Sequence, residues 1–189
     1  MYKHGYAKVA AVTPKISVGD ILGNQEEILK VLDKSKASFT VFPELTITGY
    51  SASDLFFQED FILEALNALQ YIIKHTTYQG IYMIGAPLDI YGVLYNCAIV
   101  IHKKEILGVI PKHYLPNHHE FYEKRWFHSG KGTILTQIDL LGTKVPFGYL
   151  IFEDKDRLIR FGVEVCQDLW ANYAPSDDMS LAGANMIFN

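Results

Sequence analysis

Three reactive side chains in this sequence each follow an apolar stretch of strand length. Glu44 and Lys112 each come directly after a strand-like run that stops at a proline, and Cys166 ends the run Leu158–Val165. Open α/β sheets bind ligands at the carboxyl ends of their strands, so the three side chains would converge if the strands are neighbours. As a set they suit attack on a carbonyl: the thiol forms an acyl intermediate, the carboxylate moves protons and the ammonium balances negative charge.

Each of the three residues also has a purely structural interpretation. A free cysteine such as Cys166 is more often a buried core residue, and strand-end carboxylates and lysines are usually solvated. The polar pair Gln167-Asp168 follows the cysteine, where a helix or turn could begin. If a helix follows, its N-terminal amides would favour the thiolate and lower the pKa of the Cys166 thiol.

The elements that would position these residues alternate between helix and strand patterns. Two strand–helix units are followed by a series of strand turns and then by a strand–helix–strand unit, which indicates an α/β layered domain with partly antiparallel sheets. Helices are predicted at Asp20–Lys36, at Asp60–His75 and, with small residues, after Asp178. Strands are predicted at Ala7–Val12, Phe39–Phe42, Ile81–Ala86, Leu94–Ile101, Ile106–Ile110, Tyr149–Glu153, Leu158–Val165 and Met186–Phe188, with a turn at Asp89-Ile90-Tyr91-Gly92.

A long loop is predicted from Lys112 to Gly132, and its length inside a compact domain is typical of a functional loop. His113, His118, His119 and Glu120 lie close together in it. Adjacent histidines point apart on most backbones, and the sequence has no His-Glu-x-x-His helix. We therefore expect no metal site in this loop.

The bulk composition excludes several classes of partner. The 189 residues suffice for one domain, and a net charge of −4 argues against nucleic acid or an anionic membrane as the main partner. The N-terminal apolar run Ala7–Val12 is too short to span a bilayer. Two cysteines, Cys97 and Cys166, are too few for a disulfide framework, so a cytoplasmic setting is expected. Cys97, within an apolar run, is interpreted as a core residue.

Several motifs around the three reactive residues resemble those of the nitrilase (carbon–nitrogen hydrolase) superfamily. These motifs are Phe42-Pro43-Glu44-Leu45 with Gly49-Tyr50, then Pro111-Lys112, then Glu164-Val165-Cys166-Gln167-Asp168-Leu169-Trp170. The triad of that superfamily matches Glu44, Lys112 and Cys166 in order and in local context. The resemblance implies that Cys166 is the nucleophile, Glu44 the general base and acid, and Lys112 the group that stabilises charge.

Two longer strings, Gly49–Phe56 and Tyr114–Phe127, narrow the resemblance to the glutaminase domains of glutamine-dependent NAD⁺ synthetases. This implies an α-β-β-α sandwich, with two mostly antiparallel sheets between helix layers. It also implies hydrolysis of glutamine to glutamate and ammonia. In that family the ammonia passes to a second, ATP-using domain of the same chain, which amidates nicotinic acid adenine dinucleotide to NAD⁺.

The resemblance also sets limits on what this chain is expected to contain. No Ser-Gly-Gly-type phosphate loop is present, so ATP and Mg²⁺ are expected only in a synthetase domain that is absent here, with no cofactor in residues 1–189. The abrupt end at Asn189 predicts a glutaminase domain that is incomplete at its C-terminus and inactive alone. Family members assemble through this domain, so a homo-oligomer is expected.

The expected substrate contacts depart from the family pattern at two positions. Gln167 stands where the family usually has glutamate after the nucleophile, and His118 replaces a tyrosine that lines the pocket. Phe121 matches and is expected to pack against the aliphatic stem of glutamine. Two alternatives remain open: a free-standing amidase that acts on another small amide, and a catalytically incomplete fragment that serves only as an assembly surface.

Overall fold

The computed structural model describes residues 5–155 and 158–189 and shows a strand at each predicted apolar run. In the described part of the chain the strands are β1 (Val9–Ala11), β2 (Phe39–Val41), β3 (Ile81–Ile90), β4 (Val93–His102), β5 (Glu105–Pro111), β6 (Gln137–Leu140), β7 (Thr143–Pro146), β8 (Ile151–Glu153), β9 (Arg160–Val163) and β10 (Met186–Phe188). The helices are α1 (Ile21–Lys34), α2 (Glu59–His75), α3 (Glu123–Trp126) and α4 (Pro175–Leu181), with 3₁₀ segments at Tyr50–Phe57 and Cys166–Trp170.

The larger sheet has the order β1-β2-β3-β4-β5 and separates two layers of the core. Successive side chains of a strand point to opposite faces, so Tyr82 and Ile84 of β3 pack with α1 and α2. Ile81 and Met83 of the same strand point to the other face and join a second cluster. The fully buried Ile28 of α1 shows how the apolar stripe of an amphipathic helix covers the first face.

The second sheet, β10-β9-β8, packs on the free face of the first. The ring of Phe39 in β2 lies 5.4 Å from that of Phe161 in β9 and 5.3 Å from that of Phe188 in β10, measured between centroids. Helix α4 covers the outer face, where Gly162 lies so close to Met179 that a Cβ atom would stand 2.2 Å from its sulfur. The resulting α-β-β-α layers confirm the expected fold, although both of these sheets mix parallel and antiparallel pairs.

Three local predictions need correction. Strand β3 runs to Ile90, because the hairpin closes on a two-residue turn in which Tyr91 and Gly92 have φ of 55° and 81°. The hairpin of β6 and β7 was not predicted from the sequence, because the alternation of apolar and polar residues extends over only four residues in each strand. Helix α4 begins at Pro175, before the predicted start after Asp178, because Asp177 caps it by accepting the Ala174 N–H.

Strand direction determines where the reactive side chains emerge. β1, β2 and β3 are parallel, and β4 is antiparallel to both β3 and β5, so β2 and β5 run in the same direction. Their carboxyl ends, which precede Glu44 and Lys112, therefore lie at one edge of the sheet. Helix α3 interrupts the predicted long loop next to this edge. Among the described residues, no helix has the length and apolar character needed to cross a membrane.

Candidate active site

Glu44, Lys112 and Cys166 lie together at one end of the two facing sheets. The Nζ atom of Lys112 is 2.5 Å from Oε1 of Glu44, and desolvation and the negative charge of Glu44 raise the pKa of the Cys166 thiol. Glu44 and Cys166 both line a cavity of about 340 Å³ that extends between the sheets. The structure therefore brings an ammonium group into contact with a carboxylate that shares a cavity with a thiol.

Glu44 reaches this position because the chain crosses over β3 immediately after β2. The crossing needs Gly85, since a Cβ atom there would stand 2.3 Å from the backbone nitrogen of Leu45 and 2.6 Å from the carbonyl oxygen of Pro43. Leu45 itself adopts a left-handed φ of 50°. On the far side of the crossing, Asn96 of β4 donates its side-chain N–H to Oε1 of Glu44 at 2.6 Å.

Lys112 is fully buried between two carboxylates. Its ammonium group donates to Glu44 and, at 2.6 Å, to Oε1 of Glu123, the first residue of α3. Burial alone would lower the pKa of Lys112, but the two carboxylates outweigh it and raise that pKa, so the ammonium stays charged at neutral pH. An ammonium has three N–H donors, and these two contacts use two of them.

Glu123 was not singled out by the sequence interpretation, although it is 1% exposed and touches Lys112 directly. Tyr50 donates its hydroxyl to the same oxygen of Glu123 at 2.7 Å. Burial and the nearby Glu44 raise the pKa of Glu123 against the opposing effect of Lys112. A glutamate at the start of a short helix carries no distinguishing sequence signal, because its role arises only when α3 packs against the edge that holds Lys112.

Cys166 sits at a sharp bend between β9 and the 3₁₀ segment Cys166–Trp170. Its φ of 48° is left-handed, a conformation that costs about 1–3 kcal/mol for a residue with a side chain. Although Cys166 is exposed, partial desolvation, followed by the Glu44 charge, raises the pKa of the thiol to about 11, while Lys112 acts in the opposite direction. The expected lowering by a following helix is therefore wrong, because a five-residue 3₁₀ segment is outweighed by desolvation and by Glu44.

The remaining predicted contact residues do not line the cavity that holds Glu44 and Cys166. His118 and Gln167 line a separate, wider cavity, formed by the loop after Lys112 and the segment around α3. Phe121 is half-buried, with its ring edge-on to Tyr50 at 6.2 Å and to His118 at 5.7 Å between centroids. The structure thus places Phe121 one ring away from the Glu123–Lys112 pair. His118 is exposed and does not touch the three reactive side chains in any contact described.

The loop histidines do not form a metal centre within the part of the chain that the structure describes, where no three histidine, cysteine or acidic side chains are grouped to hold an ion. His113 is buried against Tyr149, with ring centroids 4.0 Å apart, and burial lowers its pKa to about 4. Cys97 lies in β4 and is 1% exposed, as the sequence interpretation expected for a core residue.

Comparison with known proteins finds one protein-family profile and several curated relatives that match nearly the whole chain. The sequence profile described as Carbon-nitrogen hydrolase matches residues 8–189. The glutamine-dependent NAD(+) synthetase of Mycobacterium tuberculosis is 38% identical over 100% of this chain, which covers 28% of that relative. The chain thus spans little more than a quarter of the length of the curated relatives that it matches.

Solved structures of other proteins share the fold of this chain. The glutamine-dependent NAD(+) synthetase from Cytophaga hutchinsonii superposes with a TM-score of 0.78 and 27% identity, over 85% of this chain and 28% of that chain. An amidase of the nitrilase superfamily from Nesterenkonia gives a TM-score of 0.72 at 15% identity, over 98% of this chain and 65% of that chain. The second likeness concerns the fold alone.

Proposed function

The chain belongs to the carbon–nitrogen hydrolase family, and we propose that it hydrolyses the side-chain amide of glutamine to glutamate and ammonia. One observation carries the proposal: a thiol and a carboxylate line one cavity, and a charged lysine contacts that carboxylate, the arrangement that acyl transfer needs. Glutamine is the proposed substrate because the relatives of the chain are named as glutamine-dependent enzymes.

In the first half of the proposed reaction, Sγ of Cys166 attacks the amide carbonyl carbon while its proton passes to the Glu44 carboxylate. The thiol needs this base because its raised pKa keeps it protonated at neutral pH. Glu44 then returns the proton to the leaving nitrogen, so the C–N bond breaks, ammonia departs and a thioester remains on Cys166. Lys112 stabilises the negative charge that develops on the carbonyl oxygen.

The second half regenerates the enzyme with the same groups. Glu44 removes a proton from water, and the oxygen of that water attacks the thioester carbonyl carbon. The C–S bond breaks, the proton returns through Glu44 to Cys166, and glutamate is released. Since Lys112 is held between Glu44 and Glu123 throughout, its position changes little between the two steps. The hydrolysis uses only Cys166, Glu44, Lys112 and water.

We further propose that the ammonia serves an ATP-dependent synthetase domain of the same full-length protein. The relatives that match the chain are NAD(+) synthetases of which it covers about 28%, which leaves most of their length for other functions. ATP and Mg²⁺ would act in that domain, on nicotinic acid adenine dinucleotide, and the cytoplasm is the proposed setting. Both cysteines of the chain are free thiols, in keeping with a reducing compartment.

An ammonia assay on the full-length protein tests the proposal. We expect ammonia release from glutamine, complete loss of that release in Cys166→Ser, and unchanged synthesis when free ammonia replaces glutamine. A panel of aliphatic amides distinguishes a glutaminase from a general amidase, since a general amidase would hydrolyse several of them as fast as glutamine. Release of ammonia by Cys166→Ser at the unaltered rate would contradict the assignment of the nucleophile.

A further inference from the structure

We propose that Asp168 is a positioning residue whose carboxylate ties the segment that carries Lys112 to the segment that carries Cys166. The inference rests on the proposed function, because it assigns a purpose to the distance between these two groups. Asp168 touches neither reactive side chain in the contacts described and acts through the backbone. It lies two residues beyond Cys166, in the 3₁₀ segment that follows β9.

The two oxygens of Asp168 accept hydrogen bonds from both segments. Oδ1 accepts from the backbone N–H of Tyr114 at 2.7 Å and of His113 at 3.1 Å, the two residues directly after Lys112. Oδ2 accepts from the backbone N–H of Val165 at 3.1 Å, directly before Cys166, and also lies 3.3 Å from His113 N. One carboxylate thus joins the backbone directly after Lys112 to the backbone directly before Cys166.

The buried position of Asp168 strengthens its hydrogen bonds to the two segments. Its side chain is fully buried, and none of the three amides that bind it belongs to a strand. Burial raises the pKa of Asp168 to about 6, while the backbone amides and Lys112 act in the opposite direction. The group is therefore a carboxylate at neutral pH, and hydrogen bonds to a charged acceptor are stronger than those between neutral groups.

Holding Val165 matters because Cys166 has an unfavourable backbone conformation. A residue with φ of 48° keeps that conformation only where the surroundings enforce it. Asp168 accepts from Val165 on one side of the bend, and its own backbone N–H donates to the Val165 carbonyl at 3.1 Å. Together these bonds close the bend, and the contact with His113 and Tyr114 fixes its distance from Lys112.

The geometry specifies which substitution tests the link. Asparagine has nearly the shape of aspartate but one oxygen becomes an NH₂ group, which is a donor. Whichever way the amide is turned, its NH₂ group faces at least one backbone N–H, so Asp168→Asn weakens the link. One orientation releases Val165, and the other releases Tyr114 and keeps only the longer 3.3 Å bond from His113. Asp177→Asn is the matched control, because Asp177 also accepts a backbone N–H but caps α4 and contacts neither segment.

The kinetic test uses the full-length protein and ammonia release from glutamine. We expect Asp168→Asn to lower kcat about tenfold or more and to change KM less than about threefold, because misplacement of reacting groups affects the chemical step. In the Lys112→Ala background the same substitution should cost less than about threefold, since there is no longer a lysine to position. Asp177→Asn should leave kcat unchanged. An equal loss in both backgrounds, or a loss below about threefold in the first, would overturn the proposal.

Hydrogen exchange on the unaltered protein tests the link without a variant and without a substrate. We expect the amides of His113, Tyr114 and Val165 to exchange as slowly as amides of β5 and β9, although they lie outside these strands. Exchange at loop-like rates would overturn the proposal even if Asp168→Asn fails to fold. If the unaltered protein does not hydrolyse glutamine, the proposed function fails, while this measurement still decides whether Asp168 holds the two segments together.

Discussion

At the scale of single residues, the site depends on charges that offset one another. Two carboxylates, Glu44 and Glu123, surround one buried ammonium, Lys112, and the thiol of Cys166 lies beside the first of them. Such a cluster keeps the lysine charged and the thiol protonated, because each group is stabilised or opposed by its neighbour. The proposed chemistry therefore uses proton transfer to Glu44 rather than a preformed thiolate.

Substitution of Glu44 tests this dependence on proton transfer. Glu44→Gln keeps the shape of the side chain and its position beside Lys112 but removes the base. General acid–base groups contribute about 10²–10⁴-fold to rate, so we expect a loss of kcat in that range in the ammonia assay. A loss below about tenfold would count against Glu44 as the base. Glu59→Gln, in the exposed first turn of α2, serves as the control and should retain full activity.

The pH dependence of thiol reactivity is a second test at this scale. Thiolate is the form that reacts with iodoacetamide, so the rate at Cys166 should rise with a midpoint near the pKa of about 11, well above the ordinary value of about 8.5. A negative charge nearby disfavours thiolate, so Glu44→Gln should move this midpoint down. Peptide mass spectrometry reads out the modified Cys166. A midpoint at or below about 8.5 in the unaltered protein would contradict the environment described.

At the scale of elements, close contact between the chain after β2 and strand β3 delivers Glu44 to the site. The Pro43–Leu45 backbone lies directly on Gly85, and Ile47 donates its N–H to the Gly85 carbonyl at 3.3 Å. The site therefore requires a residue without a side chain in the middle of a buried strand. This requirement is invisible in the strand pattern, where a glycine only weakens the prediction.

Gly85→Ala tests the contact between these elements. A Cβ atom 2.3 Å from the Leu45 nitrogen forces the crossing segment away, and overpacking of this kind costs about 1–3 kcal/mol. We expect a lower Tm and, because Glu44 moves, a loss of kcat of about tenfold or more. Gly142→Ala is the control: its φ of 81° strains the backbone, but no atom lies within reach of the new Cβ, so only stability should fall. Equal activity in the two variants would contradict this account.

At the scale of the whole molecule, apolar side chains remain exposed near the segment that follows Cys166. Trp170 is 75% exposed, Leu181 at the end of α4 is 85% exposed, and Leu169 and Tyr173, on either side of Trp170 in the chain, have about half their surface exposed. Exposed apolar groups concentrated on one part of a surface are typical of protein–protein contact. This surface is where self-association of the chain is expected.

Sizing chromatography and light scattering on the 189-residue chain test this expectation. We expect oligomers at micromolar concentration that shift toward monomer in Trp170→Asp and Leu181→Asp, because a charge in an apolar contact is costly. Ile134→Asp is the matched control, since Ile134 is 93% exposed and belongs to none of the described elements, and it should leave the size unchanged. A monomer at all concentrations in the unaltered chain would contradict the prediction.

The sequence alone determined the layered α/β architecture, the extents of α1 and α2 within two residues, and the strand-end positions of Glu44, Lys112 and Cys166. These features follow from local patterns of apolar residues and from prolines that end strands, and such patterns act over a few residues. The motif resemblance supplied the expected roles, which stay predictions until the variants are measured.

Tertiary structure alone decided which groups surround these residues. Glu123 enters the site because α3 packs against the edge of the sheet, Asp168 binds amides 54 and 55 residues away, and Gly85 admits a crossing chain. The raised pKa of Cys166 likewise depends on desolvation in the assembled site and on Glu44, which lies far away in sequence. None of these contacts leaves a periodic or short-range signal, because each joins segments that approach one another only when the sheets and helices are assembled.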